Sequence, residues 1–155
     1  SERRSLNKET STLIAHKVQL ALELGITPIL CIGESEAERV AKHTETVLAS
    51  QLQPVIDEIG IDKFANVIIA YEPVWAIGTG KTASADQAQA MHAVIRGCLA
   101  AADMGNTQIL YGGSVNAANA NELAACPDVN GALVGGAALN IEAFTVIVKA
   151  FTEQS

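Results

Sequence analysis

Basic residues are scarce in this chain. Ten lysines and arginines stand against 17 aspartates and glutamates, a net charge of -7 over 155 residues. That balance argues against nucleic acid or an anionic membrane surface as a partner. It leaves room for a small anion, because backbone N–H groups and helix N-termini hold one without net positive charge. Cysteine is equally sparse. Cys31, Cys98 and Cys126 are odd in number, far apart and without a C-x-x-C spacing. They fit neither a disulfide framework nor a zinc site, and a reducing cytoplasm suits them. Cys31, inside Pro28-Ile29-Leu30-Cys31-Ile32, reads as a small buried hydrophobe. No apolar run approaches the ~20 residues of a membrane span, and no signal peptide opens the chain. Ser1-Glu2-Arg3-Arg4 is polar from its first residue and reads as an internal cut.

What is present suffices for one domain, residues 1–155, with a real core: 49% of the residues are hydrophobic. Leu13, Ile14, Val18, Ala21 and Leu22 have a helical period, which predicts a helix over 10–24 that Gly25 terminates. An apolar strand is predicted over 27–32. A helical stretch over 37–59, broken near His43-Thr44, is closed by Gly60. A second strand is predicted over 67–71. The capping box Ser84-Ala85-Asp86-Gln87 starts a helix that runs to about 102. A strand over 108–111, a helix over 119–125, a strand over 131–134 and an amphipathic helix over 141–151 capped by Asn140 complete the chain. Strands without alternation, separated by helices, imply an α/β fold with a parallel sheet. The order is one helix and then four βα units.

In such folds the site lies at the carboxyl ends of the strands. Those ends read Gly33-Glu34, Glu72-Pro73, Gly112-Gly113-Ser114 and Gly135-Gly136. Glu72 ends a buried strand. The segment after it is stiff at Pro73 and free at Gly78 and Gly80, which suggests a general base with a lid attached. A glycine pair can merely permit a tight βα turn. Two pairs on neighbouring strands beside a glycine-bearing lid point further, to a phosphate cradle of Gly78, Ser114, Gly135 and Gly136. Gly78-Thr79-Gly80-Lys81-Thr82 is not a nucleotide P-loop, because Trp75 stands where that motif requires its first glycine. His16, His43 and His92 all fall in predicted helices, so the chain shows a base and a cradle but no electrophile.

These residues match a known family. Ala70-Tyr71-Glu72-Pro73-Val74-Trp75-Ala76-Ile77-Gly78-Thr79-Gly80-Lys81 resembles the glutamate-and-lid signature of the triosephosphate isomerases. Tyr111-Gly112-Gly113-Ser114-Val115 and Gly131-Ala132-Leu133-Val134-Gly135-Gly136-Ala137-Ala138-Leu139 resemble that family's seventh and eighth strand loops. Cys31-Ile32-Gly33-Glu34 resembles the end of its fifth strand, and Ser1-Glu2-Arg3-Arg4 the segment after its fourth. These enzymes are themselves the standard illustration of a glutamate base working under a closing loop. The resemblance implies a (β/α)8 TIM barrel, present here as a C-terminal half-barrel. It implies interconversion of glyceraldehyde 3-phosphate and dihydroxyacetone phosphate in glycolysis and gluconeogenesis, in the cytoplasm. Neither cofactor nor metal is implied. Glu72 is the implied proton acceptor and Gly78, Ser114, Gly135 and Gly136 hold the substrate phosphate. The lid is Pro73, Val74, Trp75, Ala76, Ile77, Gly78, Thr79, Gly80 and Lys81. Glu34 contacts Trp75 with the lid open, and Tyr111 and Ser114 contact the lid when it closes.

A full barrel has eight βα units in ~250 residues. The family's catalytic lysine and histidine, and most of its homodimer contacts, match nothing in this chain. The polypeptide alone is therefore expected to have little or no activity, and its edge strands to favour self-association. Two other readings stay open: a non-catalytic phosphate-binding half-barrel that self-associates, and another phosphate-binding barrel enzyme, such as one of tryptophan biosynthesis. The latter group shares the glycine loops but not the signature from Glu72 to Lys81.

Overall fold

The computed structural model describes residues 1–77, 82–101 and 103–153. A one-turn helix α1 (Glu2–Ser5) precedes α2 (Ser11–Glu23), so two helices rather than one lead into the first strand. The Thr10 side chain accepts from Leu13 N–H and starts α2. Gly25, at φ 72°, ends it: Gly25 N–H donates to the Leu22 carbonyl and Ile26 N–H to that of Ala21.

Strands β1 (Ile29–Ile32), β2 (Ile68–Tyr71), β3 (Ile109–Tyr111) and β4 (Gly131–Ala132) form a parallel sheet in chain order. They are shorter than their apolar runs, β4 most of all. Between β1 and β2 lie α3 (Glu36–Val40), α4 (Thr44–Ile59) and a short α5 (Ile61–Phe64). A capping box between Ser35 and Glu38 starts α3, and the break expected near His43 separates it from α4. His43 is therefore the exposed N-cap of α4 and not a helical residue, a correction to the pattern reading. After β2 come a 3-10 turn (Val74–Ala76) and α6 (Ala85–Ala100). After β3 comes α7 (Ala120–Ala124). After β4 come a second 3-10 turn (Gly136–Leu139) and α8 (Ile141–Thr152).

Register divides the sheet into rows. Leu30 pairs with Ile69 and Ile69 with Ile109; Ile32 pairs with Tyr71, Tyr71 with Tyr111, and Tyr111 with Ala132. Apart from Ala132, these residues are buried, and they share the core with Leu48, Leu52 and Val55 of α4 and Ile95 and Leu99 of α6. The intervening row, Cys31, Ala70, Leu110 and Gly131, faces the opposite side of the sheet. There β1 departs from the expected uniform burial: Ile29 is exposed and Cys31 only half-buried. Both line a broad cleft, together with Arg4 of α1 and Ile14 of α2. Glu72, one residue beyond Tyr71, continues on the cleft side.

Candidate active site

The cleft encloses about 830 Å³, and its lining joins Glu72 and Ile77 with Gly112, Gly113, Ser114, Gly135 and Gly136. These residues come from the loops after β2, β3 and β4, so parallel strand direction alone brings them to one end of the sheet. Gly78, Thr79, Gly80 and Lys81 lie outside the described residues.

Glu72 is fixed through its backbone. Its N–H donates to the Ile32 carbonyl at 2.8 Å. Glycine is required on both flanks. A Cβ on Gly33 would sit 1.7 Å from the Glu72 carbonyl oxygen, and one on Gly112 would sit 2.8 Å from Glu72 Cγ. The carboxylate stays partly open to the cleft, with the Ser1 amino nitrogen 3.0 Å from Oε2. Burial first, and the neighbouring Glu72 carboxylate second, push the Cys31 thiol up to about 11, so it stays a neutral thiol beside the acid.

Beyond Glu72 the chain turns at buried Pro73 into the 3-10 turn, which carries Val74, Trp75 and Ala76. Glu34 anchors this turn. It has no exposed surface, yet four contacts satisfy its carboxylate. Tyr71 O–H lies 3.1 Å from each oxygen, Trp75 Nε1–H donates at 3.0 Å, and Arg39 Nη1–H donates at 3.3 Å. The Glu34 carbonyl also accepts from Val74 N–H at 3.1 Å. The Arg39 guanidinium stacks 4.6 Å from the Trp75 ring centroid. Burial, then the Glu34 charge, drives the Tyr71 hydroxyl far above its ordinary range, which keeps it a donor.

Ser114 Oγ–H donates to the Ala76 carbonyl at 3.0 Å while Trp75 is still bonded to Glu34. Both contacts therefore exist in one conformation. Tyr111 is buried, and burial pushes its hydroxyl above the ordinary range. Gly113 leaves room for that hydroxyl, since an added Cβ would lie 2.3 Å from it. Gly135 and Gly136 are exposed at the cleft rim, where the second 3-10 turn begins. Among the described residues no cluster of His, Cys, Asp and Glu has an arrangement able to hold a metal ion, and no helix is long and apolar enough to cross a membrane.

The sequence pattern gives no role to Arg39 or Tyr71, and it marks Gly33 and Gly112 as strand-end glycines without their tight approach to Glu72. Tyr71 was open to discovery, because strand alternation turns it away from Glu72 and toward the Glu34 side. Arg39 carries no local signal, since its value depends on where α3 sets it against Trp75.

Comparison with known proteins adds to this geometry. The family pattern described as triosephosphate isomerase matches residues 1–151. A triosephosphate isomerase of Colwellia psychrerythraea is 61% identical over 153 residues, which is 97% of this chain and 60% of that protein. One from Hydrogenovibrio crunogenus is 55% identical over 157 residues, 99% of this chain and 62% of that protein. One from Actinobacillus pleuropneumoniae serotype 3 is 55% identical over 153 residues, again 97% and 60%. The chain thus spans about three-fifths of the length of the curated relatives it matches.

Proposed function

The chain belongs to the triosephosphate isomerase family, and from that premise we propose that it supplies the general base, lid and phosphate cradle of an enzyme interconverting glyceraldehyde 3-phosphate and dihydroxyacetone phosphate. In this reading residues 1–155 are a single domain, the C-terminal four βα units of a (β/α)8 barrel. One observation carries it: a single cleft is lined by Glu72 and by Ser114, Gly135 and Gly136.

The chemistry assigned to these residues is proton transfer. Glu72 removes a proton from the carbon next to the carbonyl, and the enediolate that forms takes it back on the neighbouring carbon. Ser114 and the backbone N–H groups around Gly135 and Gly136 hold the phosphate, joined by Gly78 of the lid. An enediolate beside a phosphate ester readily expels phosphate, so a lid must cover it and exclude water. The paired arrangement of Glu34 with Trp75, and of Ser114 with the Ala76 carbonyl, supports two attachment points for that lid. A cytoplasmic location and a homodimeric full-length protein go with this reading. The family's lysine and histidine match no residue here, so residues 1–155 alone should turn over little or no substrate.

The test is a chimera. The part of the C. psychrerythraea relative that this chain does not match is joined to residues 1–155, and triose phosphate interconversion is assayed. The chimera should be active, and Glu72→Gln in it should lose about 10²–10⁴-fold in kcat, the usual worth of a positioned base. A folded chimera without activity, or an unimpaired Glu72→Gln, would overturn the assignment. So would full turnover by residues 1–155 alone.

A further inference from the structure

We propose that Gln51, on α4 and outside the cleft, is a positioning residue that holds the lid latch by fixing the peptide of Gly33. The inference rests on reading Glu34 and Trp75 as a latch for the lid. Gln51 Oε1 accepts from Gly33 N–H at 2.9 Å, and Gln51 Nε2–H donates to the Gly33 carbonyl at 3.0 Å. A side-chain amide here does what a neighbouring strand would do, satisfying both backbone groups of one residue at the end of β1.

Gly33 needs this help. A Cβ there would overlap the Glu72 carbonyl oxygen, so no side chain of its own can steady it. It directly precedes Glu34, the carboxylate that receives Tyr71, Trp75 and Arg39. On the other flank, Ser35 N–H donates to Glu38 Oε2 at 2.7 Å. Glu34 is thus suspended between two peptides, each held by a helix side chain: Gln51 from α4 and Glu38 from α3. Loss of the Gln51 pair frees the peptide that aims Glu34, and a misaimed buried carboxylate loses alignment with its fan of donors. Both side-chain hydrogen bonds of Gln51 go to Gly33, so its action on the lid passes through Gly33 and Glu34.

A stability loss alone would not separate this role from simple anchoring of α4 to β1. Trp75 supplies the separating signal, because it is the chain's single tryptophan. Residues 1–155 carrying Gln51→Met keep helix propensity and side-chain length but lose both bonds to Gly33. The readout is Trp75 emission and its quenching by acrylamide, far below the unfolding transition, with Glu34→Gln as the reference for a broken latch. Gln51→Met should red-shift the emission and raise the quenching constant toward the Glu34→Gln values. Should Gln51→Met not fold, Gln51→Glu answers the same question, since it keeps the acceptor for Gly33 N–H and loses the donor. Native emission and quenching in the Gln51 variant, with Glu34→Gln clearly shifted, overturn the inference and leave the latch standing. Native values in both variants overturn the latch itself, and the inference with it.

Discussion

His92 shows what burial does to a single side chain. It sits on α6 with no exposed surface, edge-on to Tyr71 at 5.7 Å and tilted against Tyr111 at 6.2 Å. Nδ1 lies 3.1 Å from the Asp128 carbonyl. A carbonyl only accepts, so Nδ1 carries the proton and Nε2 is a bare acceptor, with no partner among the described residues. Burial is the largest influence on its charge. The Asp128 carbonyl and carboxylate oppose it and Arg96 reinforces it, and the ring's pKa falls from 6.5 to about 4. Between those values the unfolded chain binds a proton that the folded chain refuses, so stability falls as pH drops through that window. The loss should reach about 2 kcal/mol by about pH 5. Urea unfolding at neutral pH and at about pH 5, on the native chain and on His92→Gln, measures it. The variant should lose that part of the slope, and an identical slope in both proteins would exclude His92 as its source.

Elements were legible where the chain carries its own punctuation. Gly25, Ser84 with Gln87, and Asn140 each mark a helix end in sequence, and each makes the bond its position demands. The caps at Thr10 and Ser35 appear only in the structure. Elements without such marks were read loosely. β4 keeps only Gly131 and Ala132, two small residues with little side chain to pack, and α1 and α5 are single turns held by their neighbours. The site divides the same way. Glu72 and the glycine pairs are visible because strand ends announce themselves. Arg39 and Gln51 are not, because each reaches its partner through the placement of a helix. The cap of α6 offers a direct check. Ser84 Oγ accepts from Gln87 N–H at 3.2 Å and Gln87 Oε1 from Ser84 N–H at 3.1 Å, so Ser84→Ala leaves the Gln87 N–H unmet. It should cost about 1 kcal/mol in urea unfolding. A change within error would mean that packing alone positions α6.

At the scale of the molecule, the sheet runs β1-β2-β3-β4 and each outer strand has a neighbour on one side only. Apolar side chains stand exposed near both ends: Leu13, Leu20, Leu24, Ile26 and Ile29 around α2 and β1, and Ile141, Phe144, Val146 and Val148 on α8. Unpaired parallel edges and uncovered apolar surface both favour association. Geometry selects among the ways to associate. A two-fold axis lying along the strand direction leaves every strand pointing the same way. β4 of one copy can then pair in parallel with β1 of the other at two identical seams. Eight strands joined so would close a sheet, which removes both edges at once. Residues 1–155, purified alone, should therefore sediment as a dimer whose share rises with concentration. Added salt should strengthen it, because each copy carries a net charge of -7 and like charges repel. Ile29→Lys puts a charge at the edge of β1 and should return the protein to a monomer. A monomer at every concentration would refute pairing of the edges, and unbounded aggregates insensitive to Ile29→Lys would refute closure by two seams.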